Sequence, residues 1–200
     1  MPHSNDPQTI NDGRHRILHA ASALFAQRGF GSVSISDVAE SAGLVKSSIY
    51  HHFENKEALY LAVIMDVCRY SREQMEAGSQ GVTWRERLRG ATRALSHLTG
   101  PNSHVLALIL GGIAQTPEKH KGKKADMTAP LRHEFISVLV REIANGIKAG
   151  DLRKVDPELS ALALVGVVTA VLQSAEDSSI MERVDFAFDL FLQGAQRRKD

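Results

Sequence analysis

Glycine placement between residues 13 and 53 restricts the fold more than any other feature of this chain. Glycine takes the left-handed backbone that ends a helix at least cost, and Gly29 and Gly43 cut this segment into short pieces. Before Gly29, the apolar residues Ile17, Leu18, Ala21, Leu24 and Phe25 recur every three or four positions, which predicts an amphipathic helix from 13 to 29. After "GFGSV", Ser34 and Ser36 are both placed to cap a short helix carrying Val38, Ala39 and Ala42, and Gly43 closes it after about two turns. The stretch "GLVKSSIYHHF", 43–53, then starts a third helix with Ile49, Tyr50 and Phe53 spaced to face inward or graze the core. Two short helices a few residues apart, braced by a first, predict a helix-turn-helix.

The remainder predicts helices only. Leu59, Val63, Val67 and Tyr70 mark a longer helix from Lys56 to about Ala77, broken by "GSQG". Further helical patterns cover roughly 84–98, 105–115, 127–149, 157–174 and 181–197. No segment alternates with period two, and no internal repeat is visible. The expected fold is all-α: a disordered polar tail over 1–12, a three-helix helix-turn-helix unit over 13–56, and a larger helical body over 57–200.

The longest apolar run, "ALALVGVVTAVL" at 161–172, is shorter than the roughly 20 residues that span a bilayer. It suits a buried core helix, and no membrane association is expected. The N-terminus has no basic region followed by an apolar core, so it does not read as a signal peptide. Cys68 is the single cysteine and has no partner for an internal disulfide, which agrees with a reducing, cytoplasmic setting.

Bulk charge does not mark a nucleic-acid binder. The formal net charge is +1. Between Arg14 and Tyr60, five basic residues (Arg14, Arg16, Arg28, Lys46, Lys56) face four acidic ones (Asp37, Glu40, Glu54, Glu57). A DNA-binding face must therefore be built by geometry.

From Ala23 to Val63, "ALFAQRGFGSVSISDVAESAGLVKSSIYHHFENKEALYLAV" resembles the N-terminal pattern of the TetR family of transcriptional regulators. An aliphatic-aromatic helix leads to an RGF-type turn, a D-[VI]-A…AG helix and an [IL]-Y-x-H-F-x-x-K-x-x-L segment. The match covers about the first third of the chain. Further on, "IKAGDLRKVDPELSALALVGVV" resembles the turn before that family's dimerisation helix.

A helix entering the major groove needs small residues on its leading turn, which Ser47 and Ser48 supply, and a side chain that reaches base acceptors, which Lys46 supplies. Tyrosine and histidine further along can bond phosphates, and Lys56 opens the next helix near the backbone. By position, the resemblance implies that Lys46, Ser47 and Ser36 lie near bases, and that Ser34, Ser48, Tyr50, His52 and Lys56 contact the DNA backbone. One residue departs from the family pattern. Val45 stands where a capping Ser or Thr is usual and cannot accept a bond from the free helix amides, a loss on the order of 1 kcal/mol.

No metal site or cofactor is expected. His51 and His52 are adjacent and face different ways. His15 and His19 have the i, i+4 spacing but lie opposite the apolar stripe without a third ligand. No GxSxG, HExxH, P-loop or GxGxxG pattern occurs, so nothing in the sequence supports an enzyme. Two rival readings share the fold: a helical protein-interaction module that no longer binds DNA, and a small helical enzyme.

In the body, the 161–172 helix is apolar all round and must be covered on every side. The last helix offers Val184, Phe188, Phe191, Leu192 and Ala195. The resemblance implies that the two helices form half of a four-helix interface across a two-fold axis, giving a homodimer that binds an inverted-repeat double-stranded operator. It also implies a pocket for a small effector that releases a repressor from DNA. Candidate lining residues are Trp84, His104, Leu106, Ile109, Leu110, Ile113, Met127, Leu131, Phe135 and Leu139. Their mostly apolar character favours a hydrophobic or aromatic effector.

Overall fold

The structure, a computed structural model, describes residues 7–98, 128–173 and 179–196. Eight α-helices run through them: α1 Pro7–Ser32, α2 Ile35–Ser41, α3 Lys46–His52, α4 Lys56–Gly78, α5 Trp84–Ala94, α6 Thr128–Lys148, α7 Pro157–Gln173 and α8 Ile180–Ala195. A 3₁₀ turn, Leu95–Leu98, extends α5. Among the described residues the sole β-type pairing is one isolated bridge between Leu152 and Gln196. No described helix is long and apolar enough to cross a membrane. The fold is all-α, and its helix boundaries follow the sequence periodicity closely.

The predicted break at Gly29 is present as a kink, with φ 74° and ψ 161°, after which Phe30–Ser32 winds again into the same helix. Helix α1 also begins earlier than the apolar pattern, at Pro7. The predicted 105–115 helix lies outside the described residues.

The described residues form two compact units that meet within α4, one running up to Val67 and the other starting at Cys68. In the first, α1, α2 and α3 pack against one another around Ile17, Leu18, Phe25, Val38, Ile49 and Phe53, with Leu59 and Val63 from α4 also buried. Tyr60 meets Phe25 edge-on at 5.1 Å and Phe30 at 5.0 Å. Ile49 is fully enclosed, and removing its side chain to Ala would cost about 2–5 kcal/mol.

In the second unit, α5 packs on α6, α6 on α7, α7 on α8, and α8 back on α5. Phe135, Leu139, Ile143, Leu164, Val168, Val184 and Phe188 fill the space between them. The end of α4 crosses α5 at bare backbone. A Cβ on Gly90 would lie 2.0 Å from the Gly78 carbonyl oxygen, so only glycine permits that approach.

Charge is organised around Glu142, which is buried on α6. It accepts from Arg87 Nε at 2.8 Å, Arg141 Nε at 2.8 Å and Asn145 Nδ2 at 3.1 Å. Arg141 reaches on to both oxygens of Glu76 at 2.8 and 3.1 Å. Burial pushes the Glu142 carboxyl up, but the hydrogen bonds from Arg141, Asn145 and Arg87 outweigh it and hold the group below its ordinary value. On the α5–α8 side, Arg93 forms a two-pronged pair with Asp185 at 2.9 and 2.6 Å, and Arg89 meets Asp189 at 2.8 Å.

The all-round apolar helix divides differently from the sequence expectation. Val168 of α7 and Val184, Phe188, Leu192 and Ala195 of α8 are buried within their own unit. The faces left open are Leu159, Ala163, Gly166 and Ala170 on α7, and Phe186, Leu190 and Gly194 on α8. An apolar helix carries no polar stripe to show which side turns inward, so the tight packing of α7 against α6 and α8 decides it.

Candidate nucleic-acid interface

Helix α2 starts at Ser34, whose hydroxyl accepts from Asp37 N at 3.1 Å while Asp37 Oδ2 accepts from Ser34 N at 2.7 Å. The Ser-x-x-Asp spacing selects Ser34 over Ser36 as the cap, because only Ser34 has a carboxylate three residues on to complete the reciprocal pair. These bonds hold the Asp37 carboxyl below its ordinary value. Ser36 is left exposed on the first turn of α2.

The turn into α3 depends on Gly43, at φ 63°. Its N–H donates to Glu40 O at 3.0 Å, and Leu44 N donates to Ala39 O at 2.9 Å. From α1, Arg16 Nη2 donates to the carbonyls of Ala42, at 2.5 Å, and Gly43, at 3.2 Å. The guanidinium thereby ties the brace helix to the turn that sets the angle between α2 and α3.

On α3, burial of Ile49 turns the opposite side of the helix outward, so Lys46, Ser47, Tyr50 and His51 are exposed, with Ser48 and His52 half-buried. Small hydroxyls lead and rings trail along the helix. Lys46 Nζ stands 6.0 Å from the centre of the Tyr50 ring, at the outer limit of a cation–π contact. Burial, then the positive charges of His51 and Arg14, push the His52 imidazole below its ordinary value. Near neutral pH it is therefore an uncharged hydrogen-bonding group and not a cation.

Lys56 makes contacts within the unit that its position did not suggest. Nζ donates to Phe30 O at 2.8 Å and to Val33 O at 3.0 Å, and lies 4.2 Å from the centre of the Phe30 ring. Two of its three protons are engaged in fixing the segment that carries Ser34. Sequence reading missed this and the Arg16 clamp, since both are contacts across more than twenty residues that no local spacing encodes.

Among the helices whose preceding residue is described, α3 is the one whose start has no side-chain cap. Its N-cap residue, Val45, makes no side-chain hydrogen bond to the helix. Elsewhere the chain does otherwise: Ser34, Thr83 and Ser179 form reciprocal caps, and Asn55 and Asp156 accept from Ala58 N and Leu159 N at 2.8 Å each.

Of the candidate effector residues, His104, Leu106, Ile109, Leu110, Ile113 and Met127 lie outside the described residues. Trp84, Leu131, Phe135 and Leu139 are buried in the second unit. The Trp84 indole N–H donates to Asp151 Oδ2 at 2.8 Å. Cys68 is buried too, and burial, with the nearby Glu134 charge, pushes its thiol up to about 12, which makes it unreactive.

A braced helix-turn-helix whose second short helix presents an exposed polar side, on an all-α chain, is the architecture of a DNA-binding transcriptional regulator. Residues 17–63 match the family described as bacterial regulatory proteins, tetR family. The chain is 26% identical to the HTH-type transcriptional repressor KstR2 of Rhodococcus jostii, over 80% of this chain and 78% of that protein. With the regulator UidR of Escherichia coli it shares 23% identity over 87% of each. A TetR-family regulator from Marinobacter aquaeolei superposes with a TM-score of 0.79 at 21% identity, covering 96% of this chain and all of the other. These relatives and this fold are those of regulators and not of enzymes.

Proposed function

We propose that this protein is a repressor that binds an inverted-repeat operator as a homodimer and leaves it when a small hydrophobic or aromatic molecule occupies the body. The observation that carries the DNA-reading part is α3: one side closed over Ile49, the other presenting Lys46, Ser47 and Tyr50 to solvent. Lys46, Ser47 and Ser36 read bases, and Ser34, Ser48, Tyr50 and His52 bond phosphates. Lys56 acts mainly by holding the turn before α2.

Dimerisation is supported by the outward stripes of α7 and α8. Phe186 is 62% and Leu190 49% exposed, and small residues on α7 beside them allow close helix approach. A second copy presenting the same stripes would cover both in a four-helix contact. Relatives that are named repressors support the sign of regulation. The effector reading rests on the apolar candidates in the body, of which Trp84, Leu131, Phe135 and Leu139 are buried there.

Sedimentation and gel shift with DNA flanking the protein's own gene test this together. The expected result is a dimer that shifts the DNA and is displaced by members of a hydrophobic ligand panel. Phe186→Arg should give a folded monomer with weakened operator binding. A Phe186→Arg protein that remains a dimer would remove these stripes from the interface.

A further inference from the structure

We infer that Val45 is a specificity-determining residue that reads the C5-methyl group of a thymine in the operator; this rests on the DNA-reading role of α3 proposed above. Val45 is 67% exposed and occupies the residue before α3, beside exposed Lys46 and Ser47. Alone, an exposed valine is ordinary. Its position is not, because the side chain leaves the α3 amides uncapped where five other helix starts of this chain have an accepting side chain. The chain thus forgoes a stabilising cap at the helix end that carries its base-reading residues and puts two bare methyl groups there.

Chemistry limits what those methyls can recognise. Base edges in the major groove present hydrogen-bond donors and acceptors, and the thymine C5-methyl is the one apolar group among them. Serine at this position would turn its oxygen to the helix amides or to a phosphate and has no methyl group to offer a thymine. Valine has no polar alternative, so its favourable contact is with that methyl. Lys46 next to it reads an acceptor, so the pair reads neighbouring bases by different chemistry.

The test uses the operator obtained by binding-site selection with the full-length protein. Each thymine is replaced singly by uracil, which removes only the methyl and keeps base pairing. Burying one methyl-sized group corresponds to roughly a fourfold change in affinity. Uracil at one position, or at its symmetric pair, should therefore weaken wild-type binding about fourfold per methyl. In Val45→Ala and in Val45→Ser, the same replacement should change affinity less than twofold, while both variants respond like wild type at other thymines. The serine variant restores a cap, so loss of the uracil effect there cannot come from a frayed helix. Uracil tolerated at every position, an operator without thymine, or an effect that persists unchanged in both variants would overturn the assignment of Val45. A selection that yields no preferred sequence would instead sink the DNA-reading role of α3, and this inference with it.

Discussion

The N-terminal unit and the body differ in what their best-placed cations meet. In the first, Arg16 and Lys56 donate to main-chain carbonyls, Ala42 and Gly43 for one and Phe30 and Val33 for the other. In the body, Arg87, Arg89, Arg93 and Arg141 meet carboxylates, and main-chain carbonyls such as those of Val82 and Val171 are additional acceptors for Arg87 and Arg183. A carbonyl clamp fixes a turn without placing a negative charge beside it, which suits a surface that must approach phosphates. In the body, ion pairs tie α5 to α6 and α8. Carbonyls released from a clamp at the surface can be solvated, whereas a buried carboxylate stripped of its partner cannot.

That contrast orders the expected effects. Arg87→Met takes one of three donors from buried Glu142 and should destabilise the body by about 3 kcal/mol, read by chemical denaturation. A loss below about 1 kcal/mol would mean that Arg141 and Asn145 satisfy the carboxylate between them. The same group gives a pH signature. Its folded-state value lies below the ordinary 4.5, so its contribution is complete above that pH and is lost as pH falls through the folded value.

Lys56→Met should cost less, about 1–2 kcal/mol, because the freed carbonyls are only partly buried. Operator affinity should fall with the loosened turn while the salt dependence of binding stays unchanged. A salt slope reduced by about one unit would show that the ammonium also neutralises a phosphate and would blur the contrast between the two regions. Val45→Ser should act in the other direction, adding about 0.5–2 kcal/mol to the stability of the N-terminal unit by capping α3. No gain in a denaturation midpoint would mean that the uncapped amides are already satisfied.

Smallest is the titration of His52. Its folded value lies below the ordinary 6.5, so the folded state binds fewer protons than the unfolded one and loses a little stability as pH falls below about 6.5. His52→Gln should flatten that slope; an unchanged slope would assign it to another group.

Much of this was legible in the sequence, for local reasons. Gly29 and Gly43 mark their break and turn because left-handed backbone excludes most other residues. Spacing offered Ser34 and Ser36 alike as the cap of α2, of which the structure uses Ser34, and Ile49 declares its burial by period. What was not legible depends on tertiary contact. The carbonyl clamps of Arg16 and Lys56 join residues far apart in the chain, and the inward side of α7 follows from its neighbours, not from its own uniformly apolar composition. For the effector candidates the sequence supplies apolar residues at helical spacing, and such residues serve core and pocket equally well. Phe135 and Leu139 are fully buried, as either role would require.

The central claim is that the exposed side of α3 reads DNA sequence from a scaffold fixed by carbonyl clamps. Binding-site selection with the wild type and with Lys46→Ala, run in parallel on a random duplex library, tests it most directly. The wild type should enrich an inverted repeat. Lys46→Ala should enrich the same repeat with one or two positions per half-site relaxed, at a cost of about 1–3 kcal/mol per lost contact, and with affinity for random DNA largely kept. An identical preferred sequence from both proteins, or no enrichment from the wild type, would contradict it.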